Sequence, residues 1–389
     1  MQVKQVYEFV NSISKQAYGE QAITATDMTG LIAMGNTILS TPEATDAFLR
    51  TLIDRIGRVV IGTRAYTADT SGILMNTFDY GCIMQKITVQ PMAAVEAPQW
   101  SLTGGGAVDQ YIITKPDVRQ KLFDGLTAWE IDVTIPDMQI KSAFTTPEAL
   151  TAFIDGIFTA MENSMQIQLE RTGEMAVANF IGEKIWAQAN NTGGIHCIHL
   201  LQSYNTKTGL TLTADKALRD LEFLKFATTQ INLYVNRMTK MSVLFNTEKY
   251  KRFTPRDLLR VTMLSDFVTA ENAYLQSDTF HRDLVALPNY RETLYWQGSG
   301  QEYGYAETSK IAITTSDGHS VTQDGVICLL NDVEAIGMTI DNRRLRTSPP
   351  NGRGEYTNYF SKADIRYYND MSENGLVFTV TDNPVTAGA

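Results

Sequence analysis

The sequence predicts a mixed α+β chain organised around one very long helix. Three observations predict it. An apolar stripe at helical spacing starts at Leu150 and is kept almost to Ile185. Ahead of it, over 58–135, short strand patterns alternate with polar turns, Pro91, Pro98 and Gly104-Gly105-Gly106. Behind it, a section that mixes helix and strand patterns gives way to a run of closing strands.

In chain order, 1–60 reads as largely helical. Thr41-Pro42-Glu43 is a helix start, Phe48, Leu49, Leu52, Ile53 and Ile56 recur at helical spacing, and Gly57 ends the pattern. Strands are predicted over 58–61, 83–89, 110–113 and 129–135. They are too sparse to build a core, so this stretch reads as an extended excursion from a domain. Thr145-Thr146-Pro147-Glu148 then opens the long helix with a hydroxyl cap, an early proline and a glutamate at capping-box spacing. Leu150, Phe153, Ile154, Ile157, Phe158, Met161, Met165, Leu169, Ala176 and Phe180 form its stripe. At ~1.5 Å per residue the helix is ~55 Å long, a strut by the standard of ordinary helices of about 11–12 residues. Gly173 is a point where it could bend.

A turn over 190–194 follows. A second helix is predicted with Thr213 as cap and Leu218, Leu221, Leu224, Ile231 and Val235 as its buried face. Residues 241–246 read as a buried strand and 247–253 as a short helix, giving a mixed unit over about 205–330. The closing strands are 325–331, 335–340, 363–369 and 375–380, with a Pro/Gly-rich loop over 349–354. They must pair among themselves or cover the long helix.

Composition narrows the function classes. The chain has 389 residues, 43% apolar and 20% charged, enough for a sizeable core without disulfides. A net charge of −10 argues against a surface devoted to nucleic acid, though not against a local basic patch. Cys82, Cys197 and Cys328 are far apart and lack a CxxC, which fits a reducing compartment. The first residues lack a basic-then-apolar leader pattern, and no apolar run reaches the ~18 residues of a membrane span. A soluble chain made in the cytoplasm, with no membrane partner, is expected.

The search for chemistry finds little. His196-Cys197-Ile198-His199 is the only cluster of metal-capable side chains, and it lacks a second pair to complete a site, so a structural strand or turn is expected. A metal-dependent enzyme using His196, Cys197 and His199 is the rival reading. There is no nucleotide-binding loop, nucleophile elbow or zinc-protease motif, and Gly104-Gly105-Gly106 reads as a flexible tip. No catalytic residue, metal or cofactor is expected. Arg343, Arg344, Arg346 and Arg353 form a basic run in an acidic chain. It reads as a solvated loop or as a charged contact with a neighbouring subunit. Direct nucleic-acid binding fits less well, because no aromatic residues interleave for stacking. Lys86, Asp54 and Arg55 are further candidate inter-subunit contacts; Arg55 also suits the end of a predicted helix.

The order of these elements resembles the Hong Kong 97-type capsid fold, and more closely the major capsid proteins of short-tailed Bacillus phages of the phi-29 type. The residues that carry the resemblance are Phe48-Leu49-Arg50-Thr51-Leu52-Ile53-Asp54-Arg55-Ile56-Gly57-Arg58-Val59-Val60-Ile61, Asp137-Met138-Gln139-Ile140-Lys141-Ser142-Ala143-Phe144, Asp341-Asn342-Arg343-Arg344-Leu345, Asn351-Gly352-Arg353-Gly354-Glu355-Tyr356-Thr357-Asn358-Tyr359-Phe360 and Asn374-Gly375-Leu376-Val377-Phe378. The phi-29 members carry an added immunoglobulin-like domain after the last strand. Only about nine residues follow Val380, so none is expected here.

The resemblance implies an N-terminal arm over 1–60, an E-loop with flanking strands over 61–135 lying on a neighbouring subunit, and a P-domain with the spine helix over 136–204. It further implies a mixed α/β A-domain over 205–330 and P-domain closing strands over 331–389. It implies self-assembly into pentamers and hexamers around a separate scaffolding protein, with a portal, to enclose double-stranded DNA in an icosahedral or prolate virion shell assembled in the host cytoplasm. An encapsulin-type compartment is the rival reading with the same fold.

Overall fold

The computed structural model describes residues 11, 14–15, 26, 33, 64–69, 72–74, 83–96, 111–136, 147–278, 288–299, 304–305, 309–349, 351, 353–354 and 356–386. The predicted elements over 41–61, with Asp54 and Arg55, and the predicted glycine tip lie outside these residues. Contacts divide the chain into two units. One comprises Met1–Tyr66, Asp132–Asn163 and Thr347–Tyr359; the other comprises Thr67–Ile131, Ser164–Arg346 and Phe360–Ala389.

The long helix, α1, runs Pro147–Ala189. It begins at the predicted proline and spans ~64 Å at ~1.5 Å per residue. In the first unit, Asn163 ties down the chain before the helix. Its amide donates to Arg64 O at 2.6 Å and its Oδ1 accepts from Tyr66 N at 2.8 Å. Phe158 there meets Tyr359 edge-on at 5.5 Å.

In the second unit the predicted stripe is the buried face: Met165, Leu169, Ala176, Phe180 and Ile185 are all within 3% of full burial. Gly173 serves close packing. A β-carbon there would lie 3.4 Å from both Ile73 Cδ1 and Met338 Cε, so the residue lets two side chains approach the helix backbone.

A five-stranded sheet carries this unit. It uses β4 (Cys197–His199), β5 (Leu259–Leu264), β6 (Arg291–Thr293), β9 (Val326–Asp332) and β12 (Gly375–Thr379), in the order β4-β12-β9-β5-β6. β12 runs parallel to β4 and antiparallel to β9. All seven residues of β9 are buried because both faces of the sheet are covered. On one side Leu376, Phe378, Ile327, Leu330, Val261 and Met263 pack with Phe223, Leu224, Ile231 and Phe267 of the helices. On the other, Val377, Val326, Leu329 and Leu264 pack with Ala176, Phe180 and Ile181 of α1. Those helices are α2 (Leu200–Thr208), α3 (Ala214–Ala217), α4 (Leu221–Met238) and α5 (Ser265–Asp278).

A second sheet has the order β10-β11-β3, from β3 (Leu126–Pro136), β10 (Ile336–Thr347) and β11 (Tyr356–Asn369). Two antiparallel pairs complete the set. One is β7 (Ile311–Thr314) with β8 (Ser320–Gln323). The other is β1 (Met84–Val89) with β2 (Val118–Phe123). Among the described residues no helix is long and apolar enough to cross a membrane.

Several expectations need correction. Residues 111–113 form no strand: Tyr111 is in a turn, and Ile112 and Ile113 stand 72% and 83% exposed. The partner of β1 is instead β2, whose charged alternation hid it. Thr213 caps only the single turn of α3. The main helix is capped by Asp220, whose Oδ1 accepts from Phe223 N at 2.8 Å.

Residues 241–253 are neither strand nor helix, apart from one bridge between Ser242 and Arg252. Asn246 is the reason. Its side chain accepts from Tyr250 N and donates to Tyr250 O, at 2.7 and 2.8 Å, and closes a loop in place of helical bonds. Finally, Arg343, Arg344 and Arg346 sit on β10, which runs on to Thr347, and not in a loop.

Candidate functional site

The β1–β2 hairpin is built inside out. Its register pairs Met84 with Phe123, Lys86 with Lys121 and Thr88 with Arg119 on one face. That face is half-buried; the other, carrying Gln85, Ile87, Val89, Val118, Gln120 and Leu122, is exposed. Charge thus points toward the body of the chain and apolar side chains point to solvent.

Two lysines directly opposite across a ladder repel one another. Asp370 resolves the conflict by taking both. Its Oδ2 lies 3.0 Å from Lys86 Nζ and its Oδ1 3.0 Å from Lys121 Nζ. Lys86 also reaches Glu373 at 2.6 Å and Glu334 at 3.1 Å, and Lys121 pairs with Glu248. Arg252 pairs with Glu373 at 2.8 Å and donates to Thr88 Oγ1 at 2.9 Å. Arg119 lies over the Tyr250 ring, 4.4 Å from its centroid. At the root, Lys251 N donates to Gln90 Oε1 at 2.9 Å and Gln90 N donates to Asp117 O at 2.9 Å.

The electrostatics follow from this arrangement. Burial works to lower the Lys86 pKa, but Glu373 and Asp370 outweigh it and hold the ammonium above the ordinary lysine range. Burial works to raise Asp370, but the Ser372 hydroxyl, Lys86 and Lys121 hold it down at about 2.

Beneath the cluster lies Lys184 of α1, fully buried. Its Nζ donates to Phe245 O at 3.1 Å and to Glu373 O at 3.4 Å. Burial pushes its pKa down to about 7 against the pull of Asp370, Glu248 and Glu373. Gly375 makes room for it. A β-carbon there would sit 2.5 Å from Phe180 Cζ and 3.1 Å from Lys184 Cε.

The His-Cys-Ile-His run lies at the edge strand β4 and the residue before it. Cys197 is buried, and burial pushes its thiol up to about 12, which leaves it protonated and a poor ligand. His199 Nδ1 is 2.8 Å from Thr379 Oγ1. Burial, with a contribution from Lys184, pushes His196 down to about 4, so its ring is neutral. Among the described residues no group of three or more His, Cys, Asp or Glu is placed to hold a metal ion.

The basic residues near the chain's end occupy a different setting. Residues 343–347 of β10 are exposed on both faces, Leu345 at 56% among them. Arg344 Nη2 meets Asp364 Oδ2 at 2.7 Å within the chain. Arg353 N donates to Asn351 Oδ1 at 3.0 Å in the turn that follows. Arg343, Arg344 and Arg346 are therefore together on one strand end, with Arg353 in the loop beyond it. Lys86 belongs to the hairpin cluster instead, its charge already matched by carboxylates of its own chain.

Lys121, Arg252, Asp370, Glu373 and Lys184 are additions to what the sequence suggested. The signals were present. Arg119 and Lys121 keep a period of two with Asp117, and Lys184 interrupts the apolar stripe of α1.

Comparison with known proteins gives this fold its class. A chain in the capsid structure of Staphylococcus phage Andhra superimposes with a TM-score of 0.54 at 10% identity, over 84% of this chain and 88% of that one. A chain in the structure of the head fiber and inner core protein gp22 of native bacteriophage P68 gives 0.55 at 9% identity, over the same 84% and 88%. No curated protein sequence matches. The fold is the Hong Kong 97-type fold of phage capsid proteins, and the molecule is a shell-building subunit of a virion. The profile of the Phi29-like phage major capsid protein family matches residues 9–379, and the chain belongs to that family.

Proposed function

We propose that the chain forms the head shell of a short-tailed phage of the phi-29 type and catalyses no reaction. The family match along residues 9–379 carries this reading. Subunits join as pentamers and hexamers around a separate scaffolding protein, beside a portal, and the finished shell encloses double-stranded DNA. The N-terminal arm is 1–60, the E-loop with its strands 61–135, the P-domain 136–204 and 331–389, and the A-domain 205–330. In this scheme Arg343, Arg344, Arg346 and Arg353 meet acidic residues of a neighbouring subunit, and Asp54 and Arg55 contribute from the arm.

Many such modest contacts, repeated by symmetry, hold a shell through multivalency. Expression alone and with a candidate scaffolding protein, followed by electron microscopy, tests the reading. Closed, DNA-free shells of uniform size are expected. Only monomers or irregular aggregates under those conditions would count against it.

A further inference from the structure

We propose that the end of α4 and the loop that returns past it form a docking surface for an acidic, amphipathic protein segment. The inference goes beyond the shell reading, which uses none of these residues. Between Asn236 and Leu258 the chain carries six cations, Arg237, Lys240, Lys249, Lys251, Arg252 and Arg256, against Glu248 and Asp257. In a chain of net charge −10 this is a concentrated basic stretch. Folding gathers part of it around one joint. Thr254 N donates to Met238 O at 2.9 Å, Lys240 N donates to Arg237 O at 3.2 Å, and the Arg256 guanidinium donates to Asn236 Oδ1. Arg237, Lys240 and Arg256 are all exposed there. Among the described residues no carboxylate forms an ion pair with any of the three. Arg237 suits the carbonyl end of α4 and lies 5.0 Å from the Tyr234 ring centroid. Lys240 and Arg256 lie beyond the helix and have no such duty.

Apolar side chains stand beside these cations. Ser242 and Arg252 form an antiparallel bridge, with backbone bonds of 2.8 and 3.0 Å. That pair is half-buried, and Glu373 holds Arg252 inward. Alternation turns the flanking residues Met241, Val243 and Phe253 to the opposite face. They stand 46%, 40% and 49% exposed. An apolar centre with a charged rim is the anatomy of a protein contact.

The chemistry of the occupant follows from this arrangement. The rim calls for carboxylates, and the centre calls for apolar side chains on the same segment. An amphipathic helix with leucines along one stripe and carboxylates beside it supplies both. Duplex DNA supplies only the negative charge, because its contacts are polar and dominated by phosphate. The contact is partly ionic, so it loosens as salt rises.

The test uses the dispersed full chain and a labelled helical peptide of about 18 residues, about five turns, with a leucine stripe flanked by glutamates. Fluorescence anisotropy should show saturable binding below about 0.1 mM that weakens as salt rises. Lys240→Glu/Arg256→Glu should weaken it at least about tenfold, and Phe253→Ser about tenfold. Both variants should keep the wild-type circular dichroism and melting midpoint. Lys216→Glu/Arg219→Glu, which lies before the start of α4, should bind as wild type does.

Changes made in the peptide keep the test open if a variant does not fold. Glutamine for glutamate, or serine for leucine, should each weaken binding to wild type at least about tenfold. Three outcomes overturn the proposal. One is no saturable binding of the acidic peptide. Another is duplex DNA binding at least as tightly and indifferently to Phe253→Ser, which assigns the face to nucleic acid. The third is self-association of wild type in sedimentation that Lys240→Glu/Arg256→Glu abolishes, which assigns the face to a second copy. Shell formation enters none of these readouts, so this proposal and the shell reading fail independently.

Discussion

The chain groups like charges in two places and treats them in opposite ways. Lys86 and Lys121 face each other across the hairpin, 17% and 23% exposed, and share Asp370. Arg343, Arg344 and Arg346 follow one another on an open strand end, with Asp364 against Arg344. The first group is an ion network in a poorly solvated site, where removing one partner strands the others. The second is screened by water and ions, and its isolated pairs contribute little to folding. The contrast separates positive charge that organises the subunit from positive charge held in water at a strand end.

The comparison is broken most directly at Asp370. Asp370→Ala leaves two opposed lysines without their shared carboxylate, and should cost about 3–5 kcal/mol in urea unfolding of the dispersed subunit. Its pH signature has a definite sign. The folded carboxyl titrates at about 2, below its unfolded value. Its contribution is therefore present above about pH 4 and is lost as pH falls toward 2. Acid unfolding followed by fluorescence should show a component over that range in wild type that the variant lacks.

A smaller effect of opposite direction is expected at Lys184. Its folded pKa of about 7 lies below the unfolded value. Between about pH 7 and 10 the unfolded chain holds the extra proton, so stability rises with pH across that window. Lys184→Met should flatten this rise and stabilise the subunit near pH 7, with the melting midpoint measured across the range as the check. A variant that remains as pH-dependent as wild type would mean another group sets the slope.

The smallest folding effect belongs to the arginines. Replacing Arg343, Arg344 and Arg346 together by glutamine should leave the subunit's melting midpoint nearly unchanged. Assembled shells should dissociate at lower salt than wild type, since exposed charges act within ~8–10 Å at physiological ionic strength. If the triple variant forms shells of normal salt resistance that fail only to retain DNA, these arginines serve the nucleic acid.

The sequence made the long elements legible and concealed those held by side-chain chemistry. The stripe from Met161 to Ile185 announced α1 because a buried helix face must repeat at 3.6 residues, and β9 announced itself as an apolar run because both its faces are covered. The hairpin partner was missed because Ile112 and Ile113 carry the stronger strand propensity while lying exposed outside the ladder. The loop at 241–253 was misread for a related reason: two hydrogen bonds from Asn246 override the apolar run of Val243, Leu244 and Phe245. At the candidate site, the arginine run was visible as composition. The Asp370 cluster was not, because it joins β1, β2, the 248–252 loop and the turn after β11, brought together only by folding.

The alternation of β1 and β2 also constrains how this gene can drift in length. A single codon gained or lost inside 84–89 or 118–123 would exchange the two faces beyond it, driving Ile87 or Leu122 onto the carboxylates and turning Lys86 or Lys121 out to water. Between Gln90 and Asp117, joined by one backbone hydrogen bond, the described residues 91–96 and 111–116 belong to no strand and carry no such phase. Insertions and deletions compatible with assembly should therefore collect between those two residues, and an epitope or peptide tag placed there would leave the reading frame of the faces intact.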